Sequence, residues 1–164
     1  MPPTPRISVV TATFNRASCL PDCLRSVAAQ THPETEHIVQ DGGSTDGSVA
    51  ILHGAAAQQG VRFVSAPDTG LYDAINKGIA RATGDIIGLM HSDDFFADPL
   101  VLAQVAALME DPQIDGIYGD LDYVDARDTG RIVRKWRSGA YDAARLRQGW
   151  MPPHPTVYLR RSVF

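Results

Sequence analysis

Two adjacent carboxylates, Asp93 and Asp94, lie two residues beyond the apolar run IIGLM at positions 86–90. Adjacent carboxylates repel each other, and a divalent cation with oxygen ligands relieves that repulsion when it binds between them and a phosphate. A simpler interpretation is that Asp93, Asp94 or Asp98 caps the helix that follows. The pair therefore predicts a metal and diphosphate site, with helix capping as the alternative.

A further carboxylate, Asp41, ends the strand-like segment HIVQ and precedes the turn GGSTDG. This side chain either accepts a hydrogen bond from a base or ribose, or closes an Asx-turn before Gly42 and Gly43. The glycine spacing differs from the G-x-G-x-x-G fingerprint of dinucleotide-binding proteins. A nicotinamide cofactor is therefore disfavoured, whereas another nucleotide ligand is compatible with the segment.

Apolar residues recur at strand spacing and at helix spacing in turn, which predicts strands that alternate with helices. This order is typical of an α/β fold with a mostly parallel, Rossmann-like sheet sandwiched by helices. Ligands bind such sheets beyond the carboxyl ends of the strands, so the loops after the first four strands should share one edge. The predicted strands are 6–13, 36–41, 61–66 and 85–90, and the predicted helices are 18–30, 48–58, 71–83 and 98–111.

The segments outside this alternation carry weaker signals. Residues 116–136 predict a hairpin around the turn ARDTG, and residues 149–158 predict a Pro-rich turn. Gly84 suits the end of the third helix. Cys19 and Cys23 lie on one predicted helix without a second pair at metal-ligand spacing, so we expect reduced thiols.

Composition limits the classes of protein that this chain can represent. With 164 residues, of which 44% are hydrophobic, the chain suits one domain over residues 1–164. A net charge of −4 disfavours nucleic acid as a partner. No apolar run is long enough for a transmembrane segment and no secretory signal is visible, so we expect a cytoplasmic protein, with peripheral contact at the inner face of the membrane allowed.

Four motifs together resemble the N-terminal part of a family-2 glycosyltransferase of the GT-A fold. They are VVTATFNRASCLPDCLRSVAAQTH, HIVQDGGSTDGS, DTGLYDAINKGIARATGDIIGLMHSDD and PPHPTVYLRRSVF, and they span nearly the whole sequence in order. The resemblance implies an inverting enzyme of polysaccharide biosynthesis with Mg²⁺ or Mn²⁺ as cofactor. It also implies a UDP-, GDP- or TDP-sugar as donor and a saccharide or lipid-linked acceptor.

The same resemblance implies roles for individual residues. Asp94 would bind the metal, Asp93 would bind the ribose or complete the metal shell, and His154 would approach the metal or diphosphate. The other implied donor-binding residues are Thr11, Thr13, Phe14, Asn15, Arg16, Asp41, Asp73, Asn76 and Lys77.

Three of these roles have simpler alternatives. Phe14 could pack in the core, His154 could belong to a turn, and Asp73 with Lys77 could form a solvated ion pair one helical turn apart. Arg160 and Arg161 could bind phosphate or flank a strand.

The chain also departs from the family pattern. Gly42 stands where the common motif has a second Asp, a variant that resembles members acting on polysaccharide or lipid-linked acceptors, and His91 stands where many relatives have Asp or Asn. The family's usual catalytic base lies in an acidic motif that would follow the RRSVF segment, and the resemblance therefore places it beyond Phe164. We expect a C-terminally truncated chain with weak or no transfer activity and a tendency to self-associate. A non-catalytic nucleotide-sugar-binding module and a nucleotidyltransferase are the alternatives.

Overall fold

A computed structural model describes residues 4–164, and its regular elements alternate as expected for an α/β fold. The strands are β1 (Ile7–Thr13), β2 (Thr35–Asp41), β3 (Arg62–Ser65), β4 (Ile86–Leu89), β5 (Gly116–Ile117), β6 (Leu121–Val124), β7 (Ile132–Trp136) and β8 (Tyr158–Arg160). The α-helices are α1 (Leu20–Ala28), α2 (Ser48–Gln59), α3 (Leu71–Ala80), α4 (Val101–Leu108) and α5 (Ala143–Leu146).

The central sheet has the strand order β3-β2-β1-β4-β8-β5. Strands β1 to β4 are parallel to their neighbours, and β8 runs antiparallel between β4 and β5. The predicted mostly parallel sheet is therefore confirmed. Because β1 and β4 are adjacent while their connections leave in opposite directions, the edge beyond them is the switch point where α/β sheets bind ligands.

Helices cover both faces of this sheet, which agrees with the burial of all seven residues of β1. Val9 packs with α1 and α4 on one face, in a cluster that includes Cys23 and Leu102. Val10 points to the opposite face and packs with Ile87 and the end of α3. Both faces of the parallel strands are thus buried, which explains their nearly continuous apolar sequences.

The structure differs from the predicted elements mainly after residue 110. The hairpin is formed by β6 and β7 as a separate two-stranded sheet, whereas β5 pairs with β8 in the central sheet. Strand β8 begins at Tyr158, the last residue of the segment for which the sequence predicts only a Pro-rich turn. Helices α1, α3 and α4 are shorter than predicted, whereas α2 agrees with its prediction to within one residue. Helix α4 begins at Val101 instead of residue 98, and its N-cap residue is Leu100.

Two further expectations concern single features. Cys19 and Cys23 are both free thiols, as expected. Among the helices of residues 4–164, none has the length and apolar character needed to span a bilayer.

Gly84 has a different role from the predicted helix cap. Helix α3 ends with Arg81 as its C-cap, and the Gly84 N–H donates to Ser8 Oγ at 2.8 Å. A Cβ on Gly84 would lie 2.7 Å from the backbone nitrogen of Ser8 and 2.8 Å from the carbonyl oxygen of Arg6. The close approach of two backbones therefore requires glycine.

Gly84→Ala is expected to lower the free energy of unfolding by about 1–3 kcal/mol, because backbone atoms of β1 cannot move aside as a flexible side chain can. Urea unfolding followed by circular dichroism would measure the change. Gly54→Ala is the matched control, since a Cβ at this position in α2 has no neighbour within 4 Å. This control should be neutral or stabilising by up to about 1 kcal/mol, and equal behaviour of the two variants would contradict the packing argument.

Candidate active site at the carboxyl edge of the sheet

The loops after β1, β2, β3 and β4 follow the carboxyl ends of four neighbouring parallel strands. They carry most of the residues for which the sequence predicts a function. Asp93 and Asp94 follow β4, and Phe14 follows β1. The fold therefore brings the predicted metal residues and the predicted base-binding loop to the two sides of the switch point.

The pair Asp93 and Asp94 does not cap a helix. Helix α4 begins seven residues after Asp94 and has no side-chain hydrogen bond at its N-cap. Asp93 is exposed and Asp94 is half-buried, in a turn where the Asp94 N–H donates to the His91 carbonyl at 3.0 Å. Burial, and secondly the charge of Asp93, raise the pKa of the Asp94 carboxyl above its ordinary value. A nearby cation would therefore stabilise the ionised form of this carboxyl.

Two histidines converge beside Asp94. His91 Nε2 and His154 Nε2 are 2.7 Å apart, and the two ring centroids are 4.9 Å apart. Burial and the neighbouring His91 lower the pKa of His154, whereas Asp94 acts in the opposite direction. The contact links the β4 loop to the 3-10 turn His154–Thr156 and thus joins two segments 63 residues apart. His91, which had no predicted role, is the partner that orients His154.

The loops after β1 and β2 are joined by side-chain to backbone hydrogen bonds. Asn15 Oδ1 accepts from the Thr45 N–H at 2.9 Å, and Ser44 Oγ accepts from the Asn15 N–H at 2.7 Å. Asp46 Oδ2 accepts from the Ala17 N–H at 2.9 Å. Asn15 also has a positive φ of 52°, which Asn tolerates better than most residues. Its side chain therefore holds the two loops together.

Asp41, at the end of β2, also stabilises the loop that follows this strand. Its side chain is fully buried, and its Oδ2 accepts from Gly43 N–H at 3.0 Å, Ser44 N–H at 2.9 Å and Ser65 Oγ at 2.6 Å. Its Oδ1 accepts from the Ser44 hydroxyl. This arrangement is the turn-closing alternative from the sequence. The predicted contact of Asp41 with a base is corrected on this ground, since no part of the carboxylate reaches the surface.

Within the segment 11–16, the structure separates buried residues from exposed ones. Thr11 is completely buried and its Oγ1 lies 2.9 Å from His37 Nε2, so the predicted donor contact of Thr11 is not possible in this conformation. Thr13 is also buried, and its Oγ1 has no hydrogen-bond partner within residues 4–164. Phe14 is 58% exposed, which excludes core packing, and Arg16 is exposed as well.

Helix α3 carries the remaining predicted donor-binding residues. Lys77 Nζ donates to Asp73 Oδ2 at 2.8 Å, and Asp73 Oδ2 also accepts from the Thr69 N–H. The hydrogen bond from Lys77 is the main cause that lowers the pKa of Asp73. The ion pair considered as the alternative is therefore formed, and it fixes the start of α3. Asn76 is exposed on the same helix.

The side chain of Arg160 hydrogen-bonds to backbone carbonyl groups near the end of α4. Its guanidinium donates to the carbonyl oxygens of Ile114, Met109 and Asp111 at 2.7–2.8 Å. These carbonyls follow the end of α4, so Arg160 satisfies groups that the helix leaves without partners. The strand interpretation of Arg160 agrees with the structure, because the residue lies in β8 and its Nε and Nη2 donate to backbone carbonyls.

Phe164 is the last residue that the structure describes, and the catalytic base implied by the resemblance is expected beyond it. Phe164 is exposed, and its N–H donates to the Arg161 carbonyl at 3.2 Å, which closes the 3-10 turn Arg161–Val163. The expected base therefore lies outside the described residues and stays a prediction.

His37, behind Thr11, predicts a pH dependence of stability. Burial lowers the pKa of His37 to about 4, and its Nδ1 lacks a partner among the described residues. The unfolded chain binds this proton near pH 6.5, so the contribution of neutral His37 is complete above pH 6.5 and is lost as the pH falls toward 4. The expected loss is about 3 kcal/mol of unfolding free energy.

Urea unfolding of the wild type and His37→Gln at pH 7, 5.5 and 4 would measure this loss. His37→Gln should flatten the profile between pH 6.5 and 4. The carboxyl of Glu36, whose pKa hydrogen bonds from Ser8 and Thr83 lower to about 2 despite its burial, loses its contribution to stability as the pH falls from 4.5 toward 2, so the interval from pH 7 to 5.5 is free of its effect. An unchanged slope in the variant would show that other groups bind the proton.

Comparison with known proteins identifies the family of this chain from its sequence. The family model described as "Glycosyl transferase family 2" matches residues 8–163. A "PGL/p-HBAD biosynthesis glycosyltransferase" of Mycobacterium bovis is 37% identical over 163 residues, which are 98% of this chain and 61% of the relative. An "uncharacterized glycosyltransferase" of Mycobacterium tuberculosis is 43% identical over 122 residues, which are 73% of this chain and 46% of that protein. The chain thus spans less than two thirds of these curated relatives.

Solved structures share the fold at lower identity. The S. aureus TarS 1-349 structure in complex with UDP-GlcNAc has a TM-score of 0.75 and 20% identity, over 96% of this chain and 46% of that one. A mannosyltransferase from Pyrobaculum calidifontis in complex with GDP-Man and Mn²⁺ has a TM-score of 0.67 and 24% identity, over 79% and 38%. The architecture is that of GT-A glycosyltransferases, and the family match covers nearly every residue. The chain belongs to glycosyl transferase family 2.

Proposed function

We propose that this chain forms the donor-binding part of an inverting, metal-assisted glycosyltransferase. The enzyme would move a sugar from a nucleotide-diphospho-sugar to a saccharide or lipid-linked acceptor. The observation that carries the proposal is the half-buried Asp94, with Asp93 and the His91–His154 pair beside it, at the switch point of the sheet. Two proteins of similar fold have been solved with GDP-Man and Mn²⁺ and with UDP-GlcNAc, which supports this choice.

The residues at this edge fit a divalent cation by their chemistry. Asp94 is a carboxylate in a partly desolvated position beside a second carboxylate, and His154 is near enough for the two side chains to affect each other's pKa. Mg²⁺ prefers oxygen ligands, whereas Mn²⁺ accepts oxygen and imidazole nitrogen together. Residues 4–164 do not bring three His, Cys, Asp or Glu side chains into a cluster that holds a metal alone. We therefore propose that Asp94, His154 and Asp93 share the metal with the donor diphosphate.

The bound metal would neutralise the negative charge that develops on the departing diphosphate. Phe14 would stack on the base from its exposed position after β1, and Arg16, on the same loop, would approach the phosphates. Asn76, exposed on α3, is the third candidate for a direct donor contact. Asn15, Asp73 and Lys77 would act indirectly, because their polar groups hold the loops in place.

In the transfer step, an acceptor oxygen would attack the anomeric carbon from the side opposite the diphosphate. The bond between that carbon and the diphosphate oxygen breaks, its electron pair leaves with the diphosphate, and the configuration inverts. The acceptor proton needs a base, and three carboxylates of the hairpin region are already engaged. Asp122 pairs with Arg137 at 2.7 Å, Asp120 with Arg137 at 3.6 Å, and Asp125 with Arg131 at 3.5 Å. We assign the base to none of them.

Calorimetric titration of GDP, UDP and TDP into the folded chain, with and without Mn²⁺, tests the proposal. Binding that Mn²⁺ strengthens supports a donor site at Asp94. Absence of binding by a chain with a normal unfolding transition would contradict it. If the sugar-carrying form of the nucleotide that binds is also bound, but without sugar release or transfer, the chain acts as a donor-binding module.

A further inference from the structure

Gly42 leaves room for a carboxylate from another loop. A Cβ built on Gly42 would lie 2.8 Å from Asp68 Oδ2 and 3.3 Å from Phe14 Cδ2. An aspartate at position 42 would therefore require the end of the Asp68 side chain to move. In this chain, Asp68 places its carboxylate in the space that a side chain at position 42 would use, beside the exposed ring of Phe14.

The two oxygens of Asp68 have different environments. Oδ1 accepts from the Gly70 N–H at 2.9 Å, which closes a turn before α3 and fixes the carboxylate. Oδ2 accepts no hydrogen bond from the part of the chain that the structure describes, and it faces the point between Gly42 and Phe14. By contrast, the oxygens of Asp41 are buried and occupied. Asp68 is thus the carboxylate that can meet a ligand stacked on Phe14.

The chemistry of a carboxylate discriminates among bases because it accepts hydrogen bonds and donates none. Guanine offers two adjacent donors, N1–H and the N2 amino group, to a carboxylate. Uracil and thymine offer a single N3–H, and the carbonyl oxygens on either side of it are unfavourable neighbours for a carboxylate, so they provide one hydrogen bond where guanine provides two. Adenine and cytosine place an unprotonated ring nitrogen beside their amino group. A fixed carboxylate beside a stacking ring therefore selects guanine.

We propose that Asp68 reads the nucleobase of the donor and makes this enzyme specific for a guanosine-diphospho-sugar. The inference rests on the proposed function, since it requires the donor base to stack on Phe14. It reduces the candidate donors from UDP-, GDP- and TDP-sugars to GDP-sugars alone. It also transfers the base contact that the sequence suggested for Asp41 to a residue on a different loop.

Asp68→Asn separates base reading from the structural role of Asp68. An asparagine retains Oδ1 as the turn acceptor and replaces Oδ2 with an amide donor. That donor no longer complements the N2 amino group of guanine, but it complements the carbonyl oxygen that xanthine carries at the same position. A purely structural role of Asp68 would not change the preference between two bases.

The experiment is titration of GDP, UDP, TDP and XDP, each with Mn²⁺, into the wild type, Asp68→Asn and Asp128→Asn. Asp128 is the matched control, because it lies in the same tripeptide, Asp-Thr-Gly, and its Oδ1 accepts from the Gly130 N–H at 3.1 Å on the hairpin turn. We expect the wild type and Asp128→Asn to bind GDP most tightly. Asp68→Asn should bind GDP about 10- to 100-fold more weakly and XDP more tightly than the wild type does.

Two outcomes overturn this inference and leave the proposed function intact. One is tightest binding of UDP or TDP by the wild type, and the other is an unchanged order of preference in Asp68→Asn. Absence of binding of every nucleotide by a folded chain overturns both the inference and the proposed function. Thermal unfolding of each variant without ligand establishes that the chain is folded.

Discussion

Asp94→Ala is expected to abolish the Mn²⁺-dependent part of nucleotide binding, and Asp94→Asn to do nearly the same. Loss of residues that only support metal ligands costs about 10- to 100-fold in metal affinity, so loss of a direct carboxylate ligand should exceed about 100-fold. The affinity measured without metal should change little. Calorimetric titration of GDP at several Mn²⁺ concentrations would separate the two contributions.

The stability of the metal-free variant supplies an independent readout. Burial and the charge of Asp93 both raise the pKa of Asp94, so the ionised carboxylate is unfavourable in the folded chain without a cation. Asp94→Asn should therefore raise the melting temperature of the metal-free chain while it removes the increase that Mn²⁺ and GDP produce together. A residue that merely stabilises the loop would have the opposite effect on the metal-free chain.

Asp111→Asn is a suitable control for this experiment. The Oδ1 of Asp111 accepts from the Gln113 N–H at 2.9 Å after α4, so the variant keeps that turn and removes one carboxylate. The increase in melting temperature that Mn²⁺ and GDP produce together should be the same in Asp111→Asn as in the wild type. If Asp111→Asn and Asp94→Asn weaken the response equally, the effect is one of net charge and the assignment of Asp94 fails.

The parallel part of the sheet is predictable because apolar residues mark both its strands and its helices. Ile7, Val9 and Val10 are buried on two faces, and this pattern is visible as a nearly continuous apolar segment. Strand β8 escapes prediction since it has only three residues and pairs with β4 as an antiparallel partner through tertiary packing. Pairings between segments so far apart leave no local signal in the sequence.

The site is predictable at the level of loops and less so at the level of side chains. Phe14 and Asp94 lie at the carboxyl edge as expected. Thr11 is completely buried on the side of β1 that faces Cys23 of α1, where its Oγ1 meets His37, and this burial argues against the predicted donor contact. Sequence reasoning missed Asp68, although its sequence Asp-Thr-Gly before a helix is a signal for a turn at the same edge. The space beside Gly42 becomes apparent only when the two loops are seen together.

Asp41→Ala is expected to be the most destabilising substitution at this edge. Asp41 accepts hydrogen bonds from the backbone of Gly43 and from the backbone and hydroxyl of Ser44, and it also accepts from Ser65 Oγ. Because the site is fully buried, the substitution leaves several donors without partners and without water. A cost of about 3–5 kcal/mol in the free energy of unfolding follows, because each buried donor left without a partner costs about 1–3 kcal/mol.

The contrast between Asp41 and Asp68 distinguishes the group that shapes the loop from the group that reads the base. Asp41→Asn should lower the unfolding free energy substantially, and the molecules that remain folded should keep their preference among GDP, UDP and XDP. Asp68→Asn should change that preference with little loss of stability. Urea unfolding and nucleotide titration of both variants would measure the two effects. A base preference that changes in Asp41→Asn and persists in Asp68→Asn would return the reading role to Asp41, and would require the loop after β2 to open when the donor binds.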